Sequence, residues 1–239
     1  MADQKVFHIA KSLEYGWDVL TQRWVGLVIW TILLSIPHAM INTAMFIFSI
    51  FAQDHKPPTF LHFINIAVNA ITFMLYTRLV LVCMDDEPAD LANVLSGLRF
   101  LIPFTVAGFL FFLAFLAGSC ALIFPGIYLF LSLGFYNFLI VDQYMGPIEA
   151  LKRSWAITRG HLLSLAFLYF VLSMVVFAGL ICFMVGVIPA SIVSMVALAH
   201  VYCQLDQALD AEEEDEEADD SSTGADNHEE LEPDEEIAG

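Results

Sequence analysis

Two rows of polar side chains cross an otherwise very apolar sequence. Thr31, Ser35, His38 and Asn42 recur at steps of 4, 3 and 4, and His62, Asn65, Asn69, Thr72 and Tyr76 at steps of 3, 4, 3 and 4. These are helical steps, so each row lies along one face of a helix. Polar groups facing lipid are costly, so the rows are expected to face each other or a cavity. Two chemistries fit. One is interhelical hydrogen bonding at on the order of 0.6 kcal/mol per bond. The other is a hydrated path for a proton, an ion or a lipid headgroup, with His38 and His62 titrating. A hairpin turning near residue 55 sets Asn42 against Asn69, His38 against Thr72 and Ser35 against Tyr76.

A cationic set lies in the stretch GPIEALKRSWAITRGHLLSLAFL (146–168). Leu151, Ser154, Trp155 and Thr158 fall at helical spacing, flanked by Lys152, Arg153 and Arg159, and the helix runs on into an apolar segment. Such a helix lies at a membrane surface, with Trp in the interface and cations at anionic headgroups. An orientation signal is one reading of the cluster; recognition of anionic lipid through Lys152, Arg153, Arg159 and Trp155 is the other. Asp142 is expected to pair with Lys152 or Arg153 or to lie in the headgroup layer. Arg78 is expected to snorkel to the inner surface, with lipid phosphate as the alternative partner.

No nucleophile, base or phosphate-binding motif is present, carboxylates cluster only in the C-terminal tail, and no metal-ligand spacing is visible. The sequence therefore predicts no enzyme, no cofactor and no metal. Cys83, Cys120, Cys182 and Cys203 lie in or beside apolar spans without C-x-x-C spacing and are read as small hydrophobes, a Cys120–Cys182 disulfide being the alternative.

The elements that must hold these groups follow from composition. Of 239 residues, 59% are hydrophobic, against about 45–50% in soluble domains. The net charge of −18 is concentrated at one end: from Asp206 onward there are 17 acidic residues and no Lys or Arg. The remainder is almost neutral, and nothing suggests nucleic-acid binding. The fold class expected is all-α, a polytopic membrane protein of six transmembrane helices arranged as three hairpins with amphipathic interfacial helices. Residues 1–205 form the membrane domain. Residues 206–239 form a disordered acidic cytoplasmic tail, too charged to offset its chain entropy. The acidic run 211–220 is read as solvated, with docking of a basic protein partner or weak divalent-cation binding as the alternative.

Amphipathic helix 1–23, with Phe7, Ala10, Leu13, Trp17 and Leu20 on one face, precedes span 1 (24–51), which Pro37 is expected to kink. Span 2 covers 60–84, span 3 covers 101–124 after the amphipathic stretch 85–100, and span 4 runs from the Pro125-Gly126 turn to about 144. Spans 5 (162–183) and 6 (to about 205) complete the set. Eight Lys and Arg fall on the N-terminal side of this layout and only Lys56 on the other, which places both termini in the cytoplasm. Pro58, Pro125 and Pro189 each open an even span, and GWDVL (16–20) matches SWAIT (154–158) before spans 1 and 5. Three copies of an interfacial helix followed by a hairpin are therefore expected. Gly179, Cys182, Gly186, Ala190, Ser194 and Ala197 form a small-residue face for helix packing or for a homo-oligomer.

The block FPGIYLFLSLGFYNFLIVDQYMGPIEALKRSWAITRGHLL (124–163) resembles a group of bacterial membrane proteins that includes the membrane domain fused to some glycerophosphoryl diester phosphodiesterases. The residues that carry the likeness are Pro125, Gly126, Asp142, Ala150, Leu151, Ser154, Trp155 and Gly160. The catalytic barrel of those phosphodiesterases has no counterpart here, so no catalytic residue carries over. The resemblance implies a lipid-associated membrane domain in a bacterial cytoplasmic membrane. Taken together, the expectation is a non-enzymatic membrane component that binds lipid or a partner protein. The alternative is a small transporter or channel using the polar rows.

Overall fold

The computed structural model describes residues 8–51, 59–85, 91–121, 123–181 and 186–229, with side chains as far as Glu214. Every regular element among them is helical: α1 (Ile9–Phe51), α2 (Thr59–Met84), α3 (Leu91–Leu95) continued by a 3₁₀ turn (Ser96–Phe100), α4 (Leu101–Ala121), α5 (Ile123–Leu133), α6 (Tyr136–Asp142), α7 (Pro147–Thr158), α8 (Leu162–Ile181) and α9 (Val187–Glu229). Six helical stretches are long and apolar enough to cross a membrane: Ile9–Phe51, Thr59–Met84, Asn93–Cys120, Phe124–Asp142, Leu162–Ile181 and Val187–Glu214. A shorter helical piece lies ahead of two of these spans, α3 with its 3₁₀ turn before α4 and α7 before α8, while ahead of the first span the corresponding residues are the part of α1 before Arg23. Lys56, Pro57, Pro58 and Cys182 lie outside the described residues.

The packed core sits at one end of the bundle. Met74 to Cys83 of α2, Phe138 to Val141 of α6 and Ile192 to Leu205 of α9 supply most of the fully buried apolar side chains. Away from it apolar side chains are uncovered: Phe46, Phe51, Phe63, Phe112, Phe124 and Ile181 are all exposed. A soluble protein would not leave so much apolar surface uncovered; a bilayer covers it without a packed protein partner.

Several expectations are corrected. The residue of α1 that leaves helical geometry is Arg23 (φ −124°, ψ 23°), not Pro37, which sits inside the helix. A helix at membrane depth accommodates an internal proline when its neighbours satisfy the freed carbonyl. The face of α1 that packs is Ser12, Gly16, Leu20 and Leu27, whereas Trp17 of the expected face is 57% exposed. Close approach explains this choice: a Cβ on Gly16 would lie 2.8 Å from the carbonyl oxygen of Val193 on α9. Span 4 is not one helix but breaks between α5 and α6, at Gly134 and Phe135. A Cβ on Gly134 would meet the Phe130 carbonyl oxygen and the Tyr169 hydroxyl, both at 3.0 Å. Finally, α9 does not end near residue 205 but continues to Glu229. At about 1.5 Å per residue its 43 residues run roughly twice the bilayer's hydrocarbon thickness, so α9 extends beyond it. Cys83, Cys120 and Cys203 are free thiols, and Cys120 is exposed rather than buried; the Cys120–Cys182 alternative falls on a residue outside the described ones.

Candidate functional site

The break in span 4 leaves a carbonyl and an amide without helical partners, and α7 supplies them. Ser154 Oγ donates to the Ser132 carbonyl at 3.0 Å and accepts from the Phe135 amide at 3.2 Å. Thr158 Oγ1 adds a bond to the same Ser132 carbonyl at 3.2 Å. Ser154 and Thr158 are fully buried with Ala150 and Ile157, while Trp155 is 52% exposed. Ser154 and Thr158 therefore face the bundle. Trp155 belongs to the outer face, where its indole N–H donates to the Tyr128 hydroxyl at 3.1 Å.

Of the cationic cluster, Lys152 and Arg159 are exposed, but Arg153 is engaged within the protein. Its Nε donates to Asp206 Oδ1 at 2.9 Å, and its terminal nitrogens reach Asp210 and, at 3.6 Å, Glu213. Burial pulls its pKa down, but the hydrogen bonds it donates to Asp210 and Asp206, and the negative charge of both, outweigh that and hold it above its ordinary value. Asp206 also accepts from Gln143 Nε2. Gln143 lies 3.3 Å from the Tyr202 hydroxyl, which donates to Asp142 at 2.9 Å. Asp142 thus takes Tyr202 as its partner, not Lys152 or Arg153. This network ties α6, α7 and the far end of α9 together. Gln143, Tyr202 and Asp206 were not legible as site residues; their only trace in sequence is the four-residue spacing of Tyr202, Asp206 and Asp210 along one helix face.

The polar rows of α1 and α2 do meet, one helical turn out of the expected register. Asn65 Nδ2 donates to Asn42 Oδ1 at 3.1 Å, where Asn69 was the expected partner. Asn42 Nδ2 is held by His38, 2.9 Å from its carbonyl oxygen and 3.0 Å from its ring nitrogen. Tyr76 correspondingly faces Thr31 on α1, and also Ser191 on α9, rather than Ser35. Neither the Tyr76 nor the Thr31 hydroxyl reaches a hydrogen-bond partner. Ser35 turns back to the Ile32 carbonyl at 2.7 Å. His62 and Asn69 are exposed, and Thr72 is half-buried.

Beside Tyr76 a groove of about 630 Å³ opens between α2, α8 and α9. Tyr169, Leu172, Val176 and Leu180 of α8 face Val187, Ser194 and Leu198 of α9 across it. The hydroxyls of Ser191 and Ser194 are spent on the α9 backbone, at 2.8 and 2.7 Å. The groove wall is therefore effectively apolar, in the size range of ligand pockets.

The family described as a domain of unknown function, DUF7847, matches residues 59–211 of this chain. The chain belongs to the DUF7847 family. The matched DUF7847 region begins at α2 and ends within α9. It therefore takes in the groove, the span 4 break, α7 and the Arg153 partners Asp206 and Asp210, but neither α1 nor the acidic run after residue 211. No curated protein and no solved structure matches the chain.

Proposed function

We propose that this DUF7847 protein is a non-enzymatic integral membrane protein that holds a lipid acyl chain in the groove between α2, α8 and α9. The observation that carries the reading is the groove's form. It runs along α8 from Tyr169 to Leu180, about 16 Å of helix at 1.5 Å per residue. That is close to half of a bilayer's roughly 30 Å hydrocarbon thickness, so its length suits the chain of a lipid in one leaflet. It ends beside Tyr76, near mid-membrane, and its outer end lies at the α8–α9 turn.

In this reading the membrane is a bacterial cytoplasmic membrane with both termini on the cytoplasmic side, as the distribution of Lys and Arg supports. The resemblance of residues 124–163 to the membrane domain of phosphodiesterase fusions points in the same direction, toward lipid. Contact between the polar rows is the joint between α1 and α2, and α7 with its exposed Lys152, Trp155 and Arg159 lies at the cytoplasmic headgroups.

The test is lipid retention. Protein purified in a mild detergent is expected to carry tightly bound lipid detectable by native mass spectrometry. Val176→Trp, which fills the groove, should remove one lipid per chain, while Phe170→Trp on the exposed side of α8 should not. Equal retention by the wild type and Val176→Trp would overturn the reading.

A further inference from the structure

The break in α1 at Arg23 builds a second cavity, of about 230 Å³. Tyr15, Asp18, Gln22 and Arg23 close it against Cys83 and Met84 at the end of α2. Tyr15 is fixed there by stacking on His200 of α9, with ring centroids 4.4 Å apart. His200 Nδ1 in turn lies 3.2 Å from the hydroxyl of buried Ser12. Unlike the groove, this cavity has charged walls of both signs. A guanidinium is half-buried on one side and an exposed carboxylate lies five residues earlier on the same helix. Its depth is marked by Trp17 and Trp24, the sequence neighbours of Asp18 and Arg23, which are 57% and 59% exposed. Exposed tryptophans at the end of an apolar helix sit at the headgroup level.

The ligand chemistry follows from the two charges. A guanidinium matches phosphate oxygens with paired N–H donors. An ionised carboxylate only accepts hydrogen bonds, so a group placed against Asp18 must donate. We infer that this cavity is a headgroup site selecting a phosphodiester that also carries a hydroxyl or ammonium donor, such as a phosphatidylglycerol or phosphatidylethanolamine headgroup. The phosphate sits against Arg23 and the donor reaches Asp18. A choline headgroup meets the first requirement and fails the second. This site shares with the groove reading only the premise that the protein lies in a bilayer, and it takes a different lipid, on the opposite side of the membrane.

The experiment uses the full chain, delipidated in detergent and titrated in native mass spectrometry with phosphatidylglycerol or phosphatidylcholine of identical chains. Phosphatidylglycerol is expected to bind at least about tenfold tighter, the scale of one hydrogen bond to a charged group. Asp18→Asn should bring that ratio toward one, and Arg23→Gln should weaken both lipids. Equal binding of the two lipids to the wild type overturns the proposal without recourse to any variant. A ratio that survives Asp18→Asn also overturns it. Adding sn-glycerol 3-phosphate separates the two sources of the phosphate. Displacement of phosphatidylglycerol at equal concentration would assign the cavity to a soluble phosphoester and overturn the lipid assignment. Val176→Trp should leave the ratio unchanged, so failure of the groove and failure of this site read out separately.

Discussion

Ser154 and Phe135 meet through a single hydroxyl: Ser154 Oγ lies 3.2 Å from the Phe135 amide nitrogen while donating to the Ser132 carbonyl at 3.0 Å. One side chain thus closes both sides of the gap where span 4 stops being a helix. Gly16 occupies the matching place in the GWDVL stretch. It too is buried against a carbonyl of a neighbouring even-numbered span, Val193, with Trp17 turned outward as Trp155 is. The two Trp-bearing stretches are alike in what they pack as well as in sequence.

Removing that hydroxyl should be costly. Ser154→Ala leaves a buried amide and a carbonyl short of partners and is expected to destabilise the protein by about 1–3 kcal/mol. Thr158→Val should cost less, because Ser154 still serves Ser132. Thermal unfolding in detergent, followed by circular dichroism, checks the order; equal effects would mean that Ser154 does not bridge the break.

The Arg153 cluster should respond to salt in two parts. Asp210 and Glu213 are 52% and 56% exposed, but Asp206 is only 12% exposed. Exposed pairs are screened by salt and buried ones much less. Raising the salt concentration should therefore loosen α9 beyond Asp210 while leaving the Asp206 contact in place. Arg153→Gln should release both, at a cost of roughly 1.5–3 kcal/mol for the charged hydrogen bond to Asp206. Limited proteolysis reports the difference: cleavage confined to the acidic segment in salt, and cleavage reaching toward Leu205 in Arg153→Gln.

The register of α1 on α2 can be read by crosslinking. The N42C/N65C pair is expected to crosslink with a short bifunctional thiol reagent in a background without native cysteines, and N42C/N69C to do so poorly. A double-mutant cycle with N42A and N65A should give a coupling near 0.6 kcal/mol. Preferential crosslinking of N42C with N69C would restore the register expected from a turn at residue 55.

Two glycines should differ in why they resist substitution. Gly16→Ala drives a methyl group to 2.8 Å from a backbone oxygen, and overpacking of this kind costs about 1–3 kcal/mol. Gly160 has open space around it but a φ of +91°, so Gly160→Ala should cost about 1–2 kcal/mol through the backbone alone. Gly160→Asn, which tolerates that region better, should recover part of the loss, whereas Gly16→Asn should not.

Several features of this protein follow from sequence by itself. Residue composition and helical periodicity are local properties, so the six apolar stretches and the alignment of the two polar rows could be read directly. The reach of a hydrogen bond is not local. Whether Asn42 finds Asn65 or Asn69 depends on how the hairpin closes, and one turn of slippage preserves the same helical faces. Ser154 and Thr158 were visible at helical spacing, but the break they satisfy lies where Tyr169 of α8 and Ser154 of α7, both distant in sequence, come up against Gly134 and Phe135. Arg153 looked like a cation for headgroups because its neighbours in sequence are basic. Only the path of α9 brings Asp206, Asp210 and Glu213 to it. The same acidic spacing that reads as tail in the sequence becomes, on a helix that does not stop at the membrane surface, the wall that holds α7.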